Sequence, residues 1–256
     1  MYDRLAQAAT ITSNVTPVTG FPLSNLQNLR MFSTFRSATL SGVTITFDLL
    51  ANKSLNGFGM LANLTDAATW RVESSQVSNF AVLQQDSGTI AAFTSLPGLG
   101  LSYRPPWGRV VFVGFSTATA RYVRFTFTDA ANPDGQLQFA IPAIGLVWAP
   151  AIAQDFNSKP LADVVQGDPG TEKTLRGHRF TWKQLTFAER AQVAEICRTH
   201  KTTGRVMVVP HPNERDKQVD EVFVGRIETQ MDFDLFLKTA TAEWWAGGIS
   251  LREVDE

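Results

Sequence analysis

At 256 residues the chain can build one large domain or two ordinary ones. Its 44% apolar and 18% charged content supplies a hydrophobic core, which excludes disorder or low-complexity assembly as the main state. A formal net charge of −1, from 23 basic and 24 acidic residues, removes any bulk electrostatic case for nucleic acid or a membrane surface, and the lone Cys197 excludes an internal disulfide framework.

In chain order, the opening MYDRLAQAATITSNVT lacks the apolar run of a secretory signal. No stretch approaches about 18 uninterrupted apolar residues, so synthesis in a cytoplasm without membrane insertion is expected. The sequons at Asn14, Asn52 and Asn63 are read as chance in a Ser/Thr-rich chain. VTITFDL (43–49) alternates, with Val43, Ile45, Phe47 and Leu49 on one face of a predicted strand. FAVLQQ (80–85), RVVFVGF (109–115) and RYVRFTFTD (121–129) are β-branched and aromatic runs bounded by turn residues, and IGLVWAP closes the region as a further strand. No helix of three turns is predicted before residue 150, and the short strands point to an antiparallel sandwich or barrel.

The chain then changes character. Residues 1–150 carry 9 basic and 7 acidic residues, with Lys53 the only lysine, whereas residues 151–256 carry 14 and 17 and all three histidines. Two such surfaces are most simply two domains, 1–150 and 151–256, joined near APAIAQDFNSKP. In the second, LTFAERAQVAEICRTHKTTG (185–204) predicts a helix. Thr186 and Glu189 have capping-box spacing, Val193, Ile196, Cys197 and His200 share one face, and Gly204 stops it. Strands are expected at 178–185, 205–212 and 220–230, with further alternation toward the acidic end. DEVFVGR is expected to be an edge strand that a neighbour must cover. The class is α+β, a β-rich domain with one helix.

Little points to catalysis. There is no G-x-S-x-G, and Cys197 on an apolar helix face reads as a small hydrophobe. The seven acids of the first region (Asp3, Asp48, Asp66, Glu73, Asp86, Asp129, Asp134) show no spacing that pairs two across a cleft. Gly57 and Gly59 lack the third glycine of a dinucleotide loop. Cys197, His200 and His211 are near in sequence, but a structural zinc needs four ligands, so His200 is assigned to the helix end and His211 to a Pro-His-Pro turn. No catalytic, cofactor or metal residue is therefore assigned. Two groups remain as contact residues. Tyr103, Arg104 and Trp107, in LSYRPPWGR, form a stiff aromatic loop suited to a glycan or protein, or to covering the end of the sandwich. Trp244 and Trp245 would face opposite sides of a strand, one toward the core and one toward a subunit interface.

Ser24-Asn25-Leu26, then Phe35-Arg36-Ser37, Asp48-Leu49 and Arg121-Tyr122-Val123-Arg124 resemble the discoidin (galactose-binding-like) family over about residues 18–149. Phe35 stands where the family has tryptophan, Asn28 stands where its calcium loop has aspartate, and the acid of its closing strand is missing at Ile144 to Val147. The resemblance implies an eight-stranded jelly-roll sandwich with binding loops at one end. Residues 174–256, with Phe180 and Trp182 on a strand before the helix, are similar to the tail-tube-like domain of distal tail proteins of long-tailed bacteriophages. That implies a virion protein of the tail tip or baseplate, forming a homo-oligomeric ring around the DNA channel. Tail tube and hub proteins would be its partners, with a host glycan a candidate for the outward sandwich. The alternative is a carbohydrate-binding, lectin-like module.

Overall fold

The computed structural model describes residues 5–28, 33–93, 109–148, 159–166, 172–200, 206–209, 223–228, 232–238 and 243–253. The chain is mainly β. It opens with a short helix α1 (Leu5–Ala8) and strand β1 (Thr10–Ser13), passes a 3-10 turn at Leu23–Gln27, and continues through β2 (Phe35–Ser37), β3 (Val43–Ala62) and β4 (Thr69–Ser75). Strands β5 (Leu83–Asp86), β6 (Ile90–Ala91), β7 (Arg109–Thr128) and β8 (Leu137–Gly145) complete a first, eight-stranded sheet. A second, six-stranded sheet contains β9 (Lys159–Gln166), β10 (Glu172–Thr186), β11 (Val206–Val208), β12 (Phe223–Ile227), β13 (Asp232–Lys238) and β14 (Glu243–Glu253), with helix α2 (Phe187–His200) after β10.

Two 20-residue strands make the first sheet a sandwich. β3 and β7 pair antiparallel from Val43↔Phe127 to Ala62↔Arg109, with register shifts between Asp48 and Lys53 and between Leu55 and Gly57. Before the shifts β3 lies between β1 and β7; after them it lies between β8 and β7. Irregularities of this kind bend strands, so one sheet folds into two layers. The layers close on Val43, Ile45, Phe47, Phe58, Met60, Trp70, Phe125, Phe127 and Phe139, all buried. Trp70 stacks at 6.3 and 6.2 Å on Phe125 and Phe127.

The alternating residues of 43–49 and 121–128 point as expected, because those stretches have one face outward. Other boundaries differ. The runs 109–115 and 121–129 are one strand, the 80–85 strand begins only at Leu83, and the closing strand ends at Gly145, before Val147 and Trp148. β4 is an additional strand, and so is β9, which begins within the expected linker.

The second sheet runs β11-β12-β14-β10-β9, with β13 beside the first half of β14. Here β12, containing most of the expected edge DEVFVGR, is interior, bonded to β11 on one side and β14 on the other. Among the described residues the outer positions belong to β9, β11 and β13. β9 accommodates Pro160, which lacks the N–H a central strand would need. α2 starts with the expected box: the Thr186 amide donates to Glu189 at 2.8 Å, and the Glu189 amide donates to the Thr186 hydroxyl at 3.2 Å. Its described span runs to His200, and the expected stop at Gly204 lies outside the described residues. Val193 and His200 are buried, while Ile196 and Cys197 pack against a core of Trp182, Leu185, Phe223, Ile249 and Leu251.

Candidate interaction surfaces

Tyr103, Arg104 and Trp107 lie outside the described residues, as does His211. The two ends of the segment that holds the first three are well fixed. It departs after Phe93 and returns at Arg109, whose guanidinium donates to Asp66 and sits 4.8 Å from the Phe93 ring centroid. The cation, its carboxylate and the ring tie both ends together at one end of the sandwich.

A polar network that sequence reading missed stands beside this tie. Asp129, only 2% exposed, accepts from the Thr65 amide (2.8 Å), the Thr65 hydroxyl (2.7 Å) and the Asn132 side chain (2.9 Å). Asn132 also donates to the Asn63 carbonyl, and the Asn63 amide group reaches Asp134 at 2.9 Å. These bonds hold the β3–β4 and β7–β8 turns to each other next to Asp66. The available signal was turn chemistry: Asp129, Asn132, Asp134 and Gly135 are residues that bond their own backbone or accept positive φ, and Gly135 has φ +63°. In the sequence Asp129 and Asp134 stand only among the seven scattered acids of the first region.

The outward face of β4, β5 and β7 holds a charge lattice. Glu73, buried, accepts from Arg124 at 2.8 Å and pairs with Arg71 at 3.0 Å, and Arg71 binds Asp86 through two bonds of 2.8 and 2.6 Å. Arg124 lies 4.1 Å from the Phe80 centroid. The Arg71 guanidinium holds the Asp86 carboxyl below its usual 3.8, and Arg121 does the same to Asp48. Depressed carboxyls stabilise the fold above the ordinary value, and that contribution disappears as pH falls below it. With every charge answered, the lattice reads as a rigid wall in which Glu73 and Asp86, opposite each other on β4 and β5, are bridged by Arg71.

The tryptophan pair lies at a different surface. Trp244 and Trp245 occupy β14 opposite Thr186 and Leu185 of β10 on one side and Leu237 and Leu235 of β13 on the other. Trp245 is partly buried, with the Arg190 guanidinium 3.8 Å above its ring; the Trp244 side chain is outside the described residues. Phe187, next to Thr186, is 59% exposed, and Leu235 is 46% exposed. Large apolar side chains thus flank the tryptophan step on both sides.

Cys197 and His200 share the inner face of α2 as expected, and no group of three potential ligands forms among the described residues. Burial pushes the Cys197 thiol up to about 11 from 9.0. At pH 8 its thiolate fraction is therefore roughly 100-fold below that of an unperturbed thiol, and alkylation should be at least that much slower than in the unfolded chain, accelerating as pH rises toward 11. Stopped alkylation followed by mass spectrometry checks this; labelling at the unfolded rate at pH 8 would contradict it. No described helix is long and apolar enough to cross a membrane.

No protein-family model and no curated protein matches the chain. Among solved structures it is similar to CBM32-5 of CpGH89 from Clostridium perfringens in complex with GalNAc-β-1,3-galactose, at 14% identity and TM-score 0.42, covering 56% of this chain and 99% of that one. It is also similar to the CBM32 of AlyQ in complex with 4,5-unsaturated mannuronic acid, at 19% identity and TM-score 0.39 over 54% and 95% of the two chains. A third, SpGH29, is matched at 14% identity and TM-score 0.42 over 57% of this chain but only 28% of its own length. At these identities and scores the likeness carries nothing about function.

Proposed function

We propose that the chain is a non-catalytic structural subunit of a bacteriophage tail tip. In this reading residues 151–256 join copies head to tail in a ring around the DNA channel, and the sandwich of residues 1–150 faces outward toward other tail proteins or host glycan. One observation carries the ring: β9 has no strand on its outer side among the described residues, and the β9–β10 pairing continues for five rungs, from Arg176↔Ala162 to Glu172↔Gln166, beyond the last rung between β10 and β14. A projecting, unpaired edge is a template for another strand, and head-to-tail use of one edge closes into a ring when the rotation allows. The similarity of residues 174–256 to distal tail proteins supplies the tail. The net −3 of residues 151–256, from 14 basic and 17 acidic, suits a channel along which DNA slides without binding.

A second reading is a carbohydrate-binding module, which rests on the aromatic run LSYRPPWGR and on the resemblance of residues 18–149 to the discoidin family. It assigns binding to Tyr103, Arg104 and Trp107. Sedimentation velocity on the full chain, beside a glycan-binding screen, separates the two. The ring reading expects one discrete oligomer at high concentration. A monomer at every concentration, with glycan binding lost in Tyr103→Ala and Trp107→Ala, would replace it with the second reading.

A further inference from the structure

We infer that Met207 and Gly59 form a knob-in-hole lock that makes the two sheets one cooperative body, so that the first sandwich is not a detachable module. The inference holds whether or not the chain assembles.

The sequence of the second half of β3 does not alternate. Residues 57–62 are buried without a break, which requires cover on both faces of the strand. Phe58, Met60 and Ala62 face the main core, whereas Leu61 belongs to a different buried cluster, with Val110 and Phe112 of β7 and Ala140 and Ile141 of β8. The remaining members of that cluster come from the second sheet: Met207 of β11 and Val224 of β12. The β11–β12 pair therefore lies on the outer face of β8, β3 and β7, and it supplies the cover.

Gly59 is the hole. A Cβ there would lie 2.5 Å from the Met207 sulfur, 2.9 Å from its methyl and 2.8 Å from the Val111 carbonyl oxygen, so the thioether occupies space that any other residue would fill. Ile141 is independent testimony. β3 and β8 change register between Gly59 and Leu61, leaving one extra residue on β8, and Ile141 there has φ +44°. A β-branched side chain persists in that conformation only where its surroundings enforce it. What the strain achieves is to place Ala140 and Ile141 side by side in the seam, where the second sheet buries them. An independent sandwich would expose this apolar strip to water.

The test uses the full chain, reading hydrogen exchange by mass spectrometry for peptides of β3 and β7 separately from those of β12 and β14, alongside calorimetry. Wild type should give one calorimetric transition, with the slowest amides of both sheets exchanging together. Met207→Ala should lower Tm by roughly 5–15 °C and raise exchange in both sheets, whereas Met207→Leu, which keeps the volume, should stay within about 4 °C of wild type. Two separable transitions in wild type, or loss of protection confined to the second sheet in Met207→Ala, would overturn the lock. Should Met207→Ala fail to fold, the wild-type measurement decides.

Discussion

Proline at one of the neighbouring positions 164 and 165 should abolish self-association while leaving Tm within about 2 °C of wild type, and at the other it should destabilise the second sheet by about 1–3 kcal/mol. The two differ because successive residues of an antiparallel strand turn their N–H groups to opposite sides. Val164 and Val165 pair with Thr174 and Lys173 of β10, so one directs its N–H into the hairpin and the other away from it. Outward, the proline removes a donor the isolated subunit does not use, and its ring obstructs an incoming strand. Inward, it breaks a ladder bond. Sedimentation velocity and calorimetry on both variants check the pair. If both variants associate like wild type, β9 is not the joining edge.

Replacing Asp129 with alanine should cost about 3–5 kcal/mol, a large share of the roughly 5–15 kcal/mol that holds a domain together. Its carboxylate accepts three hydrogen bonds from Thr65 and Asn132 in a buried site, and alanine leaves those donors without an acceptor where water does not reach. Asp129→Asn keeps one acceptor oxygen and should recover part of the loss. Urea denaturation with an unchanged m value reads the difference, and a cost below about 1 kcal/mol for alanine would show that the turns are held by something else. Because the same turn carries Asp66, the partner of Arg109, the network also fixes the place from which the segment with Tyr103, Arg104 and Trp107 departs.

The legible parts of this fold were those with one wet face. Val43 to Leu49 and Tyr122 to Thr128 alternate because water lies on one side and the aromatic core on the other. The α2 capping box was equally plain, since its chemistry is local. Where strands are covered twice the pattern fails: GMLA at the end of β3, and AIPAIG in β8, carry no period of two because the second sheet buries their outer face. β4 is hard to read because its core face offers only Trp70 and Val72, while Glu73 is buried on the outward face, where only Arg71 and Arg124, distant in sequence from each other, make that burial tolerable. Only the start of β9, Lys159 and Pro160, falls in the expected linker, because proline is a strand breaker everywhere except at an edge. DEVFVGR looked like an edge for its charges, yet β11 pairs on its outer side. Of the contact residues, Trp245 packs against the core of the second sheet, in register with the buried Leu185 on one side and Leu235 on the other, a placement that only pairing across three strands produces.

Negative-stain electron microscopy of the purified full chain at high concentration tests the central claim most directly. A ring-forming subunit gives closed particles of uniform diameter with a central hole, and these disappear in whichever of the 164 and 165 proline variants keeps the wild-type Tm. Dispersed single particles at every concentration, unchanged by either proline, would contradict assembly through β9 and leave the sandwich as the working part of the protein.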